Sequence, residues 1–152
     1  MDFEKFTNQA KETIAQSQQI LRRYSHNQLD VEHILLAMLE QEKGVPRRML
    51  EQSGVQIAAL VSRLERELGS RPQVSGGGAD TGQIYVTPQA NRLFDAAWSR
   101  AQQFGDSFVA AEHLLLAMLD ITSPATRLLQ EAGATEQALL EALRHIRGSR
   151  GV

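Results

Sequence analysis

The chain has 152 residues, with 16 Lys+Arg against 18 Asp+Glu, 42% hydrophobic and 5% aromatic residues, and no Cys. That length suits one domain with a sizeable core, while a formal charge of −2 leaves no cationic excess for binding a polyanion. The absence of Cys excludes a thiol nucleophile, a Cys-ligated zinc site and a disulfide scaffold, and no apolar run approaches the roughly 18 residues of a membrane span.

The first predicted helix opens at Thr7, whose hydroxyl can cap it, and places Ala10, Ile14, Ser17 and Leu21 on one face. His26-Asn27-Gln28 breaks it. Asp30 can cap a second helix that is apolar nearly all round, at Ile34, Leu35, Leu36, Met38 and Leu39, the pattern of a buried centre. Gly44-Val45-Pro46 turns the chain into a short third helix, with Pro46 near its first position. Gly54 stops that helix in the left-handed region. A fourth helix runs from about Gln56 to Leu68, with Ile57, Leu60, Val61, Leu64 and Leu68 inward and Gly69 closing it.

From Ser70 the sequence becomes Gly- and Ser-rich as far as Gly82, the composition of a flexible linker. Gln83 to Val86 reads as an extended, partly apolar stretch over the surface. The punctuation then returns. Thr87-Pro88 opens a helix, Gly105-Asp106 breaks it, Ser123-Pro124 opens the third, Gly133 stops it, Thr135 caps the fourth and Gly148 ends it. The correspondence extends to the residues themselves. Val31 to Glu40 recurs as Ala111 to Asp120 at an offset of 80, with seven of ten positions identical. After one deletion an offset of 79 aligns Leu50 with Leu129, Gly54 with Gly133 and Leu64 with Leu143. The chain is a duplicated helical unit. The expected organisation is all-α: repeat 1 over residues 1–70, a linker over 71–86, repeat 2 over 87–148, and the start of a further linker at 149–152.

Catalytic signatures are missing. There is no phosphate-binding GxxxxGK[ST], no HExxH and no nucleophile elbow, and Gly76-Gly77-Gly78 follows no strand, so the chain offers no catalytic residue and calls for no metal or cofactor of its own. Neighbouring side chains on a helix diverge by about 100°, so Glu32-His33 and Glu112-His113 cannot chelate one ion as pairs. His33 and His113 read instead as helix-start residues bonded to backbone or to the other unit. What remains is a repeated constellation. Thr7 and Thr87 begin the first helices, and Glu32 and Glu112 begin the second, giving each unit an anion-friendly helix start beside a carboxylate. As first-turn carboxylates, Glu32 and Glu112 each add at most about 1 kcal/mol. A functional reading makes them dyad-related polar sites flanking a groove between the units.

A duplicated four-helix unit with Phe6-Thr7-Asn8-Gln9-Ala10 at its start and Glu32 to Leu39 and Glu112 to Leu119 in its centres resembles the N-terminal domain of the Clp AAA+ unfoldases. Arg71 to Gly76, Gly105 to Val109 and Ile146 to Ser149 look most like the ClpB, or disaggregase, type. The charge and hydropathy above call for no nucleic-acid or membrane partner and for a cytoplasmic location by default, and the resemblance implies a domain joined to AAA+ domains of its own chain in a hexamer. It would capture unfolded or aggregated polypeptide. ATP and Mg would belong to those other domains. It also implies a substrate-handling role for Thr7, Asp106 and Glu112. The ClpC type, which this chain also resembles, implies binding of an adaptor or of phosphoarginine, with Glu32 and Glu112 taking the guanidinium and Thr7 and Thr87 at the phosphate end. A third reading is a free-standing modulator of a protease complex.

Overall fold

The computed structural model describes residues 2–74 and 83–148. The predicted linker segment Ser75–Gly82 and the residues 149–152 lie outside them. Eight α-helices are present among the described residues: α1 (Asn8–Arg23), α2 (Val31–Glu40), α3 (Val45–Gln52), α4 (Ile57–Gly69), α5 (Pro88–Phe104), α6 (Ala111–Ala117), α7 (Pro124–Glu131) and α8 (Glu136–Arg147). Local chemistry sets most of their ends. Thr7 and Thr87 accept from the backbone N–H of Ala10 and Ala90, at 3.1 and 3.0 Å, and Thr135 accepts from that of Ala138 at 3.2 Å. Gly54, Gly105 and Gly133 stop helices at φ of 85°, 77° and 89°, where a Cβ would be strained. Gly69 does not close α4 as expected. It is the last helical residue, and Ser70 caps the helix in an ordinary right-handed conformation, its hydroxyl donating to the Glu67 carbonyl at 2.7 Å.

Helix α2 is buried from Val31 through Leu39, as its continuous apolar sequence requires. Its repeat α6 is shorter and tightens into a 3-10 turn over Met118–Asp120. There the Thr126 hydroxyl donates to the Met118 carbonyl at 2.6 Å. Leu36 and Leu116 are both fully buried, each worth about 1.5–3 kcal/mol of apolar transfer. One hydrophobic cluster runs through both units, from Phe6 to Leu143. The units interlock because the third helix of each packs on the fourth helix of the other, α3 on α8 and α7 on α4. No helix among the described residues is long and apolar enough to cross a membrane.

The start of each unit is exchanged. Phe6 forms a parallel bridge with Val109, and the Thr7 N–H donates to the Val109 carbonyl at 2.9 Å. At the positions 80 residues apart, strand β2 (Tyr85–Val86) pairs in parallel with β1 (Gln28–Leu29), and the Thr87 N–H donates to the Leu29 carbonyl at 3.0 Å. The leading segment of each repeat therefore completes the other repeat. Tyr85–Val86, expected to lie extended over the surface, is extended and paired.

Candidate functional site

The exchange decides which of the expected residues meet. The sequence groups Thr7 with Glu32 and Thr87 with Glu112 within each repeat; the fold brings each threonine to the other repeat. The Thr87 hydroxyl lies 2.7 Å from Asp30 Oδ1, beside Glu32. The backbone of Thr7 joins Val109, midway in sequence between Asp106 and Glu112.

Each carboxylate already holds an arginine of the same chain. Arg71, assigned from sequence to the flexible linker, is anchored by Glu32 at 2.5 Å, Asp30 at 3.2 Å and Glu67 at 3.5 Å. The following chain is tied down as well, since the Val74 N–H donates to the Ser25 carbonyl at 2.7 Å. In the second unit Arg147 reaches Glu112 at 2.9 Å and Asp106 at 3.2 Å, with its guanidinium 5.4 Å from the centre of the Phe104 ring. Burial would lower the pKa of both arginines, but their Glu partners outweigh it and raise both. The carboxylates that a bound phosphoarginine would need are thus engaged from within.

Glu32 is a first-turn carboxylate of α2, as expected, but does more than stabilise its helix start. It is fully buried, and its second oxygen accepts the backbone N–H of Ala125 at 2.8 Å, in the first turn of α7. Burial pushes its carboxyl up, while the Arg71 hydrogen bond holds it down; the net shift is upward. A residue that ties the two units together cannot be removed for about 1 kcal/mol.

His33 and His113 sit at the helix starts with fixed tautomers. Each Nδ1 accepts a backbone N–H, from Asp30 at 3.0 Å and from Ala110 at 2.8 Å, so each proton resides on Nε2. His113 Nε2–H then donates to Asp106 at 2.9 Å. His33 Nε2–H donates to His26 Nδ1 at 3.0 Å, which leaves the buried His26 Nε2–H without a partner among the described residues. Burial, then the neighbouring His26 and Arg71, lowers the pKa of His33 to about 4. Burial and Arg71 lower that of His26. Burial lowers that of His113 against the pull of Asp106. His33 and His113 are both bonded to backbone, one of the two arrangements the sequence suggested, and among the described residues neither hydrogen-bonds to the other unit.

An open groove with a largely apolar lining lies elsewhere. A cavity of about 290 Å³ runs between α1 and the segment before α5, lined by Phe3, Lys11, Ile14, Gln18, Leu29, Ile84 and Val86. Phe3 and Val86 are 42% and 38% exposed. None of Thr7, Glu32, Thr87, Asp106 and Glu112 lines it. The sequence carried one cue, the Ile84 to Val86 stretch, and gave no sign that α1 would face it. In sequence, Asp106 and Glu112 instead bracket another exposed ring, Phe108, at 51%.

The family of Clp repeat (R) N-terminal domains matches residues 5–144. The chain belongs to that family. Among curated relatives, the chaperone protein ClpB of Nitratidesulfovibrio vulgaris is 36% identical over the whole chain, and that of Rhodopseudomonas palustris is 38% identical over 99% of it. The chain spans only 18% and 17% of the length of those two proteins. Solved structures share the Clp repeat fold. The Hsp104 N-terminal domain of Candida albicans superposes with a TM-score of 0.78 at 24% identity, covering 95% of this chain and 92% of that one. A complex of the ClpV N-domain with a VipB peptide gives 0.75 at 20% identity, covering 95% and 88%.

Proposed function

We propose that this Clp repeat domain captures apolar segments of unfolded polypeptide and delivers them to an ATP-driven ring built from other domains of its protein, as in a ClpB-type disaggregase. The observation that carries the reading is the open groove beside α1, with Phe3 and Val86 in reach of solvent. Exposed apolar side chains gathered around a cavity mark a binding surface more often than a solvated one. The relatives named ClpB and the ClpV domain solved with a peptide support the same use. On this reading Thr7, Asp106 and Glu112 serve as a second, polar contact for the same client, with the exposed Phe108 lying between Asp106 and Glu112 in sequence. No ATP or Mg is needed for capture.

Binding of this kind is weak, about −8 kcal/mol or less favourable, which is micromolar or weaker. Titrating the domain with a reduced, alkylated, permanently unfolded polypeptide and following amide shifts tests it. Shifts at Ile14, Ile84 and Val86 are expected, with smaller ones near Phe108. No shifts at the groove would refute the reading.

A further inference from the structure

The duplication generates two equivalent positions for a groove; among the described residues one is open and its counterpart is closed. Ile14, Leu29 and Val86 of the open groove correspond to Phe94, Val109 and Phe6 in the repeat register. Those counterparts are all buried. Phe3 packs edge-on against Phe6 and Phe94, with ring centres 5.1 and 5.3 Å apart, and Phe6 lies 6.0 Å from Phe94. The counterpart groove is therefore filled by three rings of the chain itself. In the open groove the same positions carry branched aliphatic residues, and the register places Gln83 where the first unit has Phe3. Phe3 stands at the boundary. It rests on the closed array and presents the rest of its ring to the open groove. A further ring seated in the open groove would extend that edge-to-face array, a geometry favoured beyond simple area burial.

The rim adds a charge. Lys11, Ile14 and Gln18 share one face of α1, and Lys11 is the charged residue among those lining the groove. An occupant with a carboxylate beside its ring complements it.

We infer that the open groove selects extended segments carrying an aromatic side chain next to an acidic one, the ring taking the place that the chain's own phenylalanines fill in the closed counterpart. This rests on the reading of the groove as a polypeptide site and names which polypeptide it prefers.

Labelled Gly/Ser peptides that contain Phe-Glu, Leu-Glu, Ala-Glu or Phe-Lys test it by fluorescence anisotropy. Phe-Glu should bind about two- to tenfold more tightly than Leu-Glu, and more tightly still than Ala-Glu. Its advantage over Phe-Lys should shrink as salt is added. The double variant Ile14→Phe with Val86→Phe copies the closed groove and should lose the binding while keeping its thermal melt. Lys11→Glu changes only an exposed charge and should reverse the preference between Phe-Glu and Phe-Lys. Equal binding of Phe-Glu, Leu-Glu and Ala-Glu, or an unchanged preference in Lys11→Glu, overturns the selectivity while leaving the groove a polypeptide site. If neither these peptides nor an unfolded polypeptide perturbs Ile14 and Val86, the underlying reading fails too.

Discussion

One hydrogen bond at the centre of the first repeat has no counterpart at the centre of the second. Glu32 and Glu112 occupy the same turn of equivalent helices, and each holds an arginine, yet among the described residues only Glu32 also receives a backbone N–H, from Ala125. The register explains it. Ala125 corresponds to Pro46, and proline has no N–H to give. Both units use a proline to start the third helix, but the second places it at Pro124, one position earlier in the register, so that the N–H needed by Glu32 survives at Ala125. The arginines are not register equivalents either. Arg71 follows α4, whereas Arg147 is the last residue of α8. The apolar frame has been kept through the duplication, while the polar interior has been rebuilt separately in each half.

The largest effect should come from cutting the bond that only one half possesses. Glu32→Ala leaves the Ala125 N–H and much of the Arg71 guanidinium unpaired, and should cost about 3–5 kcal/mol. Glu112→Ala, whose side chain keeps 12% exposure and whose partner Arg147 keeps 20%, should cost about 1–2 kcal/mol. Urea denaturation of both variants measures the gap, and equal costs would break the comparison. The shared frame has its own test: Leu36→Ala and Leu116→Ala should each cost about 2–5 kcal/mol and differ little. A calorimetric melt that left either substitution silent would contradict the common core.

Acid should separate the halves next. His33 has a neutral imidazole, His26, where His113 has the carboxylate of Asp106. With a folded pKa of about 4 against an ordinary 6.5, His33 binds its proton later than the unfolded chain does. Its contribution is fully present above pH 6.5 and is lost as pH falls toward 4, an effect of about 2–4 kcal/mol. The raised pKa of Glu32 acts with the opposite sign, so the ring itself is the cleaner probe. Its nitrogen resonances should titrate near pH 4, and a midpoint near 6.5 would show that the pair is open to water. The smallest effect sharpens the proline argument. In a double-mutant cycle, Pro46→Ala should create a coupling to Glu112 of about 0.5–1.5 kcal/mol that the proline forbids. A zero coupling would place the asymmetry somewhere other than the missing N–H.

Sequence patterns revealed the parts of the fold that local chemistry governs. Thr7, Thr87, Ser123 and Thr135 cap where side-chain geometry lets them, and the unbroken apolar run of α2 announces its burial. The groove was hidden for a physical reason. It depends on strands of two residues, β1 and β2, too short to show alternation, and on an exchange that joins Thr7 to Val109 across a hundred residues. Arg71 was hidden by its company, since a Gly/Ser-rich neighbourhood says nothing about one side chain reaching back to Asp30 and Glu32. Glu32 itself looked like any helix-start carboxylate, because its partner Ala125 is named only by tertiary packing. Thr7, Asp106 and Glu112 enter as a set only through the family resemblance, and no pattern in the chain pointed to the exposure of Phe108.

The crossed leading segments carry a consequence for how the domain comes apart. In an open repeat array each module leans on its neighbours alone, and one end can fray while the other persists. Here the first segment of the chain is clasped by the second repeat, and the segment entering the second repeat is clasped by the first. Neither clasp can open without exposing an edge on the other side. During synthesis the first repeat waits for Val109 before its own leading segment has a seat, so the two halves close together as one cooperative body.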